Sequence, residues 1–169
     1  MSFIIPSPLP PWTPSQITID TTLPSKKLTN DYEHTHFFFH ELLIKYHSSS
    51  KYFTDGSKFS SFIGCSIIHP DSYITRFSLP SSFSILSAEL YAIYLAINSV
   101  VQSSNNNVCI FSDSLPVILN FRNPTHTIPQ LILHTLTRRA FLKIVLIWIP
   151  ATPKFLLMKL LIKQRMNLL

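Results

Sequence analysis

The chain has 169 residues, of which 46% are hydrophobic and 13% are charged, and its formal net charge is +6. This composition excludes an intrinsically disordered chain and is that of one domain large enough to bury a sizeable core. The positive charge weakly indicates an anionic partner, which is either nucleic acid or an acidic membrane surface.

Cysteine usage and the amino-terminal residues predict an intracellular protein, in the nucleus or the cytoplasm. Cys65 and Cys109 each lie in an apolar run and form no CxxC motif, which indicates buried free thiols in a reducing compartment. Residues 1–12 lack the basic region and the long apolar stretch of a signal peptide. No run of about 18 uncharged apolar residues occurs, so we expect no membrane span.

Residues 1–48 are predicted to form a proline-rich linker that ends in a short helix. Six of the thirteen prolines lie among the first 30 residues, together with many Ser and Thr residues, and this composition favours an extended chain. Phe38, Leu42 and Tyr46 then recur at four-residue spacing, which predicts a short helix over residues 36–47.

Residues 49–150 are predicted to form an α/β domain around one mixed sheet. Three strand candidates indicate an antiparallel meander, with an Asp-Gly turn signal at the end of the first: KYFTDGS, SFIGCSIIH and SYITRFSL. The clearest helix spans residues 87–101, where Ser87 can cap a stripe of apolar residues at helical spacing. Two further strands, VCIFSDS and KIVLIWIP, are apolar enough to be covered on both faces, and helix candidates lie between them.

Three carboxylates lie where a mixed sheet can bring them together. Asp55 ends the first strand of the meander, Glu89 lies in the first turn of the main helix, and Asp113 ends the central strand. Each alone has an ordinary explanation, as a turn residue, an acid at a helix N-terminus and a helix cap. Three converging carboxylates, however, repel each other unless cations neutralise them, and such oxygen ligands suit Mg²⁺ or Mn²⁺.

With YFTDGSK, SAELYAIYLAI, IFSDS and IWIP in this order, the chain resembles the type 1 ribonuclease H domain of non-LTR retrotransposon polyproteins. The preceding segment is similar to the part of such polyproteins that links the reverse transcriptase to this domain. The resemblance covers nearly the whole chain through Pro150. It implies a ribonuclease H-like fold, in which a mixed five-stranded sheet has three antiparallel strands followed by parallel strands and is flanked by helices.

The same resemblance implies two-metal endonucleolytic cleavage of the RNA strand of an RNA–DNA hybrid. Asp55, Glu89 and Asp113 would be the catalytic metal ligands, and Asp55 would be shared by two Mg²⁺ or Mn²⁺ ions. The backbone at Gly56 and Ser57 would lie close to the hybrid, which is recognised by its shape, phosphates and 2′-hydroxyls rather than by its bases. We expect a monomer with no small-molecule cofactor and no membrane partner.

The carboxyl end departs from the family pattern. After W-x-P the family continues with a His and with an N-E-x-A-D motif whose Asp is the fourth metal ligand. Residues 151–169 instead form a basic segment rich in Leu and Lys, and no carboxylate follows Asp113. Taken alone, this segment could also form a basic amphipathic helix for an anionic membrane or a partner groove.

A shift of reading frame accounts for this departure. Read out of frame, Met158–Lys159 gives a forced Glu, and the neighbouring codons allow the whole motif N-E-I-A-D and a preceding His at the family's spacing. We therefore hypothesise a one-nucleotide deletion near codon 151, which a DNA sequence incompatible with those codons would exclude. The expected consequence is weakened metal binding and little or no activity. The alternative is a non-catalytic nucleic-acid-binding remnant or a pseudogene product.

Overall fold

A computed structural model of the protein describes residues 17–22, 32–59, 62–70, 73–122, 127–136, 139 and 141–150. Strands β1 to β6 are Ile17–Asp20, Ser50–Phe59, Phe62–Ile68, Ile74–Leu79, Asn107–Ser112 and Lys143–Trp148. Helices α1 to α4 are Tyr32–Lys45, Ile85–Gln102, Leu115–Asn120 and Thr127–Leu136. The basic segment 151–169 and most of the predicted linker lie outside the described residues.

The six strands form one mixed sheet in the order β1-β6-β5-β2-β3-β4. Strands β2, β3 and β4 are antiparallel neighbours, whereas β5 runs parallel to β2, β6 to β5, and β1 to β6. The predicted α/β class, with a mixed sheet flanked by helices, is therefore confirmed.

The predicted strand count of five is wrong, because β1 adds a sixth strand at the edge of β6. This strand comes from the segment that the sequence assigns to a linker, and its register runs from Ile17 opposite Ile144 to Asp20 opposite Ile147. Four residues beside a proline-rich stretch carry too short a pattern to predict a strand. Its pairing partner also lies far away in the sequence, so only the folded sheet explains it.

Strand β2 continues through Asp55 and Gly56, although Asp-Gly is a turn signal. Asp55 lies opposite Ser66 of β3, and the β2–β3 ladder extends to Phe59. The predicted end of the strand is therefore wrong by several residues. Pairing along β3 overrides the local turn preference, since a ladder in the middle of a sheet stabilises extended backbone at both residues.

Helix α2 lies across one face of the sheet and forms most of the larger core. It begins at Ile85 rather than at Ser87, because the side chain of Ser84 accepts a hydrogen bond of 3.0 Å from the backbone N–H of Ser87. Glu89 consequently lies in the second turn, not in the first as predicted. The helix is long and apolar enough to cross a membrane by composition alone, but most of its apolar residues are buried or half-buried against the sheet and α4.

Helix α1 covers part of the opposite face and fills a second core. Phe39 and Leu42 pack with apolar residues of the central strands, where the rings of Phe53 and Phe111 stack 4.8 Å apart. Cys109 lies in this core, and burial raises the pKa of its thiol. The prediction that both cysteines are free and buried is confirmed.

A buried carboxylate fastens β1 to the end of α1. Asp20 accepts hydrogen bonds from Lys45 Nζ at 2.7 Å, from Tyr46 Oη at 2.6 Å, and from the backbone N–H and hydroxyl of Thr22 at 3.0 and 2.6 Å. Burial alone would raise the pKa of Asp20, but these hydrogen bonds outweigh burial and hold the pKa well below its usual value. The added strand is therefore secured by charge as well as by its ladder with β6.

Replacing Asp20 should destabilise the fold in a pH-dependent manner. We expect Asp20→Asn to lower the free energy of unfolding by about 1–3 kcal/mol near pH 7, because charge-assisted hydrogen bonds are lost. Since the folded-state pKa lies below the unfolded value, this stabilisation is complete above about pH 4 and is lost as the pH falls further. Urea unfolding at about pH 7 and pH 3 measures both effects.

The exposed carboxylate of Glu41 on α1 provides the control. Glu41→Gln should change the free energy of unfolding by less than about 0.5 kcal/mol. A difference between wild type and Asp20→Asn that is equal at both pH values would contradict the role assigned to the Asp20 charge.

Candidate metal centre

The three predicted carboxylates come from β2, from α2 and from the end of β5. Strands β2 and β5 are parallel neighbours in which Phe53 lies opposite Phe111. Asp55 and Asp113 each lie two residues beyond that pair, so the register places them at the same level of the sheet. Glu89 reaches this level from helix α2, which packs against β2.

The carboxylates of Asp55, Glu89 and Asp113 converge closely. One oxygen from each lies within 4.8 Å of the other two. Glu89 is buried, with 6% of its surface exposed, and the other two are half-buried. This group could hold a metal ion, and an all-carboxylate donor set fits a hard cation that prefers oxygen ligands.

Electrostatics supports that fit. Two full negative charges at about 4.8 Å repel by roughly 1 kcal/mol in water and by roughly 3–4 kcal/mol at an effective dielectric constant near 20. For half-buried and buried carboxylates, the repulsion energy lies between these two values. A cation among them converts the repulsion into attraction, so the donor set is better satisfied with a positive charge than without one.

Gly56 is the residue that lets Glu89 reach the site. A Cβ atom at position 56 would lie 2.9 Å from both Cγ and Cδ of Glu89 and 3.0 Å from its backbone nitrogen. Real Cβ atoms do not approach so closely, so any larger residue would push α2 away from β2. The sequence predicts Gly56 and Ser57 as substrate neighbours; the structure places Gly56 under Glu89, half-buried, and Ser57 exposed beside it.

The backbone that carries Asp113 is held from both sides. Thr54 donates its hydroxyl to the carbonyl of Phe111 at 3.2 Å, and the backbone N–H of Ile149 donates to the carbonyl of Ser112 at 2.9 Å. Trp148 donates its indole N–H to the backbone carbonyl of Asp113 at 3.2 Å. These bonds fix the loop that follows β5, and with it the position of the Asp113 carboxylate.

Sequence reasoning missed this contribution of Trp148. The motif IWIP indicates a strand, and it does not show where the indole donates. The available signal is that a partly buried indole needs a hydrogen-bond acceptor, which in a parallel sheet is found at the end of the neighbouring strand.

Cys65 lies near the carboxylates without joining them as a charged group. Burial, and after it the negative charge of Glu89, raise the pKa of the Cys65 thiol to about 11. The thiol therefore stays neutral near pH 7 and adds no fourth negative charge to the cluster.

All three predicted metal ligands thus meet in one site, and the fourth expected ligand has no counterpart among the described residues. Comparison of the sequence with protein-family models and with curated proteins finds no match. The functional interpretation consequently depends on the residues of the site and on the sheet that positions them.

Adding a side chain at position 56 should damage the site and the fold together. We expect Gly56→Ala to lower the free energy of unfolding by about 1–3 kcal/mol, because the new methyl group overlaps Glu89. Urea unfolding measures this loss. Ser78→Ala, at an exposed position of β4, is the matched control and should change stability by less than about 0.5 kcal/mol. Equal stability of wild type and Gly56→Ala would show that α2 and β2 do not approach as described.

Binding of a cation can be followed through Trp148. The variant Trp12→Phe leaves Trp148 as the single tryptophan, because the chain has only two. We expect Mn²⁺ to quench its fluorescence in a saturable and EDTA-reversible manner, since a paramagnetic ion beside Asp113 lies close to the indole. Adding Asp113→Asn should raise the Mn²⁺ concentration needed at least about tenfold, whereas adding Glu41→Gln should not. Quenching that is linear in Mn²⁺ and identical in all variants would exclude a bound ion.

Proposed function

We propose that this chain is a ribonuclease H-like domain whose site takes Mg²⁺ or Mn²⁺ and whose substrate is the RNA strand of an RNA–DNA hybrid. The observation that carries the proposal is the convergence of Asp55, Glu89 and Asp113 from a central strand, a helix packed across it and the end of the neighbouring parallel strand. The residue order TDGS, AELYA and SDS supports the same interpretation.

Each carboxylate has a role in this proposal. Asp55, Glu89 and Asp113, each with one oxygen within 4.8 Å of the other two, would hold the cations together, and the resemblance implies that Asp55 would be the ligand shared by both. Bound divalent cations would supply an activated water and neutralise charge on the scissile phosphate. The half-buried setting of Asp55 and Asp113 leaves the site open to a polymer, as cleavage within a nucleic acid strand requires.

The proposed activity of this chain is very low. Two divalent cations carry four positive charges, whereas the three carboxylates of the site carry at most three negative charges. The sequence has no Asp or Glu after Asp113. A missing ligand weakens the binding of the second cation most, and both cations are needed to hold the attacking and leaving oxygens in line.

The missing fourth carboxylate also favours a second candidate function, a domain that binds nucleic acid without cleaving it. Eight of the fourteen Lys and Arg residues follow Asp113.

A hybrid-cleavage assay separates these candidates. With a labelled RNA strand in an RNA–DNA hybrid and either Mg²⁺ or Mn²⁺, we expect cleavage close to background, together with measurable binding of the hybrid. Any cleavage above background should disappear in Asp55→Asn and persist in Glu41→Gln. Robust turnover that Asp55→Asn abolishes would contradict the proposed loss of activity.

A restored chain tests whether the missing motif causes the loss. Replacing residues 151–162 by a peptide with a His and the motif N-E-I-A-D, which the other reading frame allows at the family's spacing, supplies the expected His and a fourth metal-binding carboxylate. Cleavage should then rise by at least about a hundredfold, because a metal ligand and a proton-transfer group return together. A restored chain that binds Mn²⁺ and still does not cleave the hybrid would exclude the ribonuclease H proposal.

A further inference from the structure

On the antiparallel half of the sheet, the positively charged side chain of Arg76 lies in one row with Asp55 of the candidate metal centre. Asp55 of β2 is directly opposite Ser66 of β3, and Ser66 is directly opposite Arg76 of β4. Directly opposite residues of neighbouring strands project from the same face of a sheet. Asp55, Ser66 and Arg76 therefore form one row, in which the first and last Cα atoms are about 10 Å apart at the usual strand spacing.

The row is polar and accessible. Arg76 is exposed, and within the described part of the chain no carboxylate forms an ion pair with it. Ser66 is half-buried and short, so no large side chain of β3 stands between Arg76 and Asp55. The other face of β3 holds the core residues Ile63 and Ile67. The second core, on the face of the row, includes Phe53 but none of the three row residues. The row thus lies outside these cores, with Arg76 at its exposed end.

We propose that Arg76 contacts a non-scissile phosphate of a nucleic acid strand bound at the metal centre and thereby fixes the register of that strand. This inference depends on the function proposed above. Each strand of a duplex carries one phosphate per about 3.4 Å of helix axis. The separation of about 10 Å between the Cα atoms of Asp55 and Arg76 therefore places the Arg76 contact within a few nucleotides of the phosphate at the carboxylates.

The chemistry of the row favours a phosphodiester backbone. The planar guanidinium of Arg76 presents paired N–H donors that match two phosphate oxygens. At the other end of the row, three carboxylates repel an anion unless cations lie between the carboxylates and the anion. A phosphodiester strand can therefore contact such cations at one end of the row and the guanidinium of Arg76 at the other. Between its charged ends the row offers the single hydroxyl of Ser66, and a contact of Arg76 with the phosphodiester backbone positions the strand without selecting its sequence.

The salt dependence of hybrid binding tests the proposal. The full chain is titrated into a fluorescently labelled RNA–DNA hybrid of about 20 base pairs, with Mg²⁺ present and KCl varied, and anisotropy gives the dissociation constant. We expect Arg76→Gln to weaken binding roughly fivefold and to reduce the slope of log K against log salt by about 1, because one phosphate contact is lost. Arg76→Lys should retain the slope and lose part of the affinity, since it keeps the charge without the paired donors.

The matched control is Lys143→Gln. Lys143 is also exposed, but it begins β6, at the end of the parallel strands opposite to the carboxylates. It should leave both the affinity and the salt slope unchanged. Equal effects of Arg76→Gln and Lys143→Gln would overturn the role of Arg76 and leave the proposed function intact. A wild-type chain that binds no hybrid would overturn both.

Discussion

The close approach of helix α2 to strand β2 at Gly56 is the contact on which the candidate metal centre depends. Glu89 is a buried carboxyl side chain on an otherwise apolar helix face, and it reaches Asp55 only because position 56 carries no side chain. Ala88 and Ala92 on the same helix are fully buried and small, so the helix lies close to the strands along this stretch. Packing of the core therefore holds the carboxyl group of Glu89 at a buried position that a carboxyl group would not favour by itself.

The sheet supplies the rest of the geometry. Parallel pairing of β2 with β5 brings Asp55 and Asp113 to one level, and hydrogen bonds from Thr54, Ile149 and Trp148 hold the strand end that carries Asp113. Because these supports belong to strands and not to long loops, the three carboxylates stay together against their mutual repulsion. That repulsion favours the binding of a cation among the three carboxylates.

The sequence predicted the helices and strands that have long apolar patterns. It did not predict the features that depend on pairing between distant segments of the chain. Helix α2 and strands β5 and β6 were predictable because they have continuous apolar patterns. The three carboxylates were predictable from their order along the chain, although Asp55 lies within β2 and Glu89 lies in the second turn of α2. Strand β1 and the course of β2 through Asp-Gly were not, since tertiary ladders determine them. The fit of Gly56 under Glu89 and the bond from Trp148 to Asp113 likewise arise only from packing. The ribonuclease H assignment and its substrate stay predictions.

The central claim is that three carboxylates on β2, α2 and the end of β5 form one cation site. Crystals of the protein soaked in Mn²⁺ and measured with anomalous scattering test it most directly. We predict an anomalous peak within coordination distance of Asp55 and of at least one of Glu89 and Asp113, and loss of that peak in Asp55→Asn. Carboxylates that lie apart in the crystal, or a saturating soak without a peak among them, would contradict the claim.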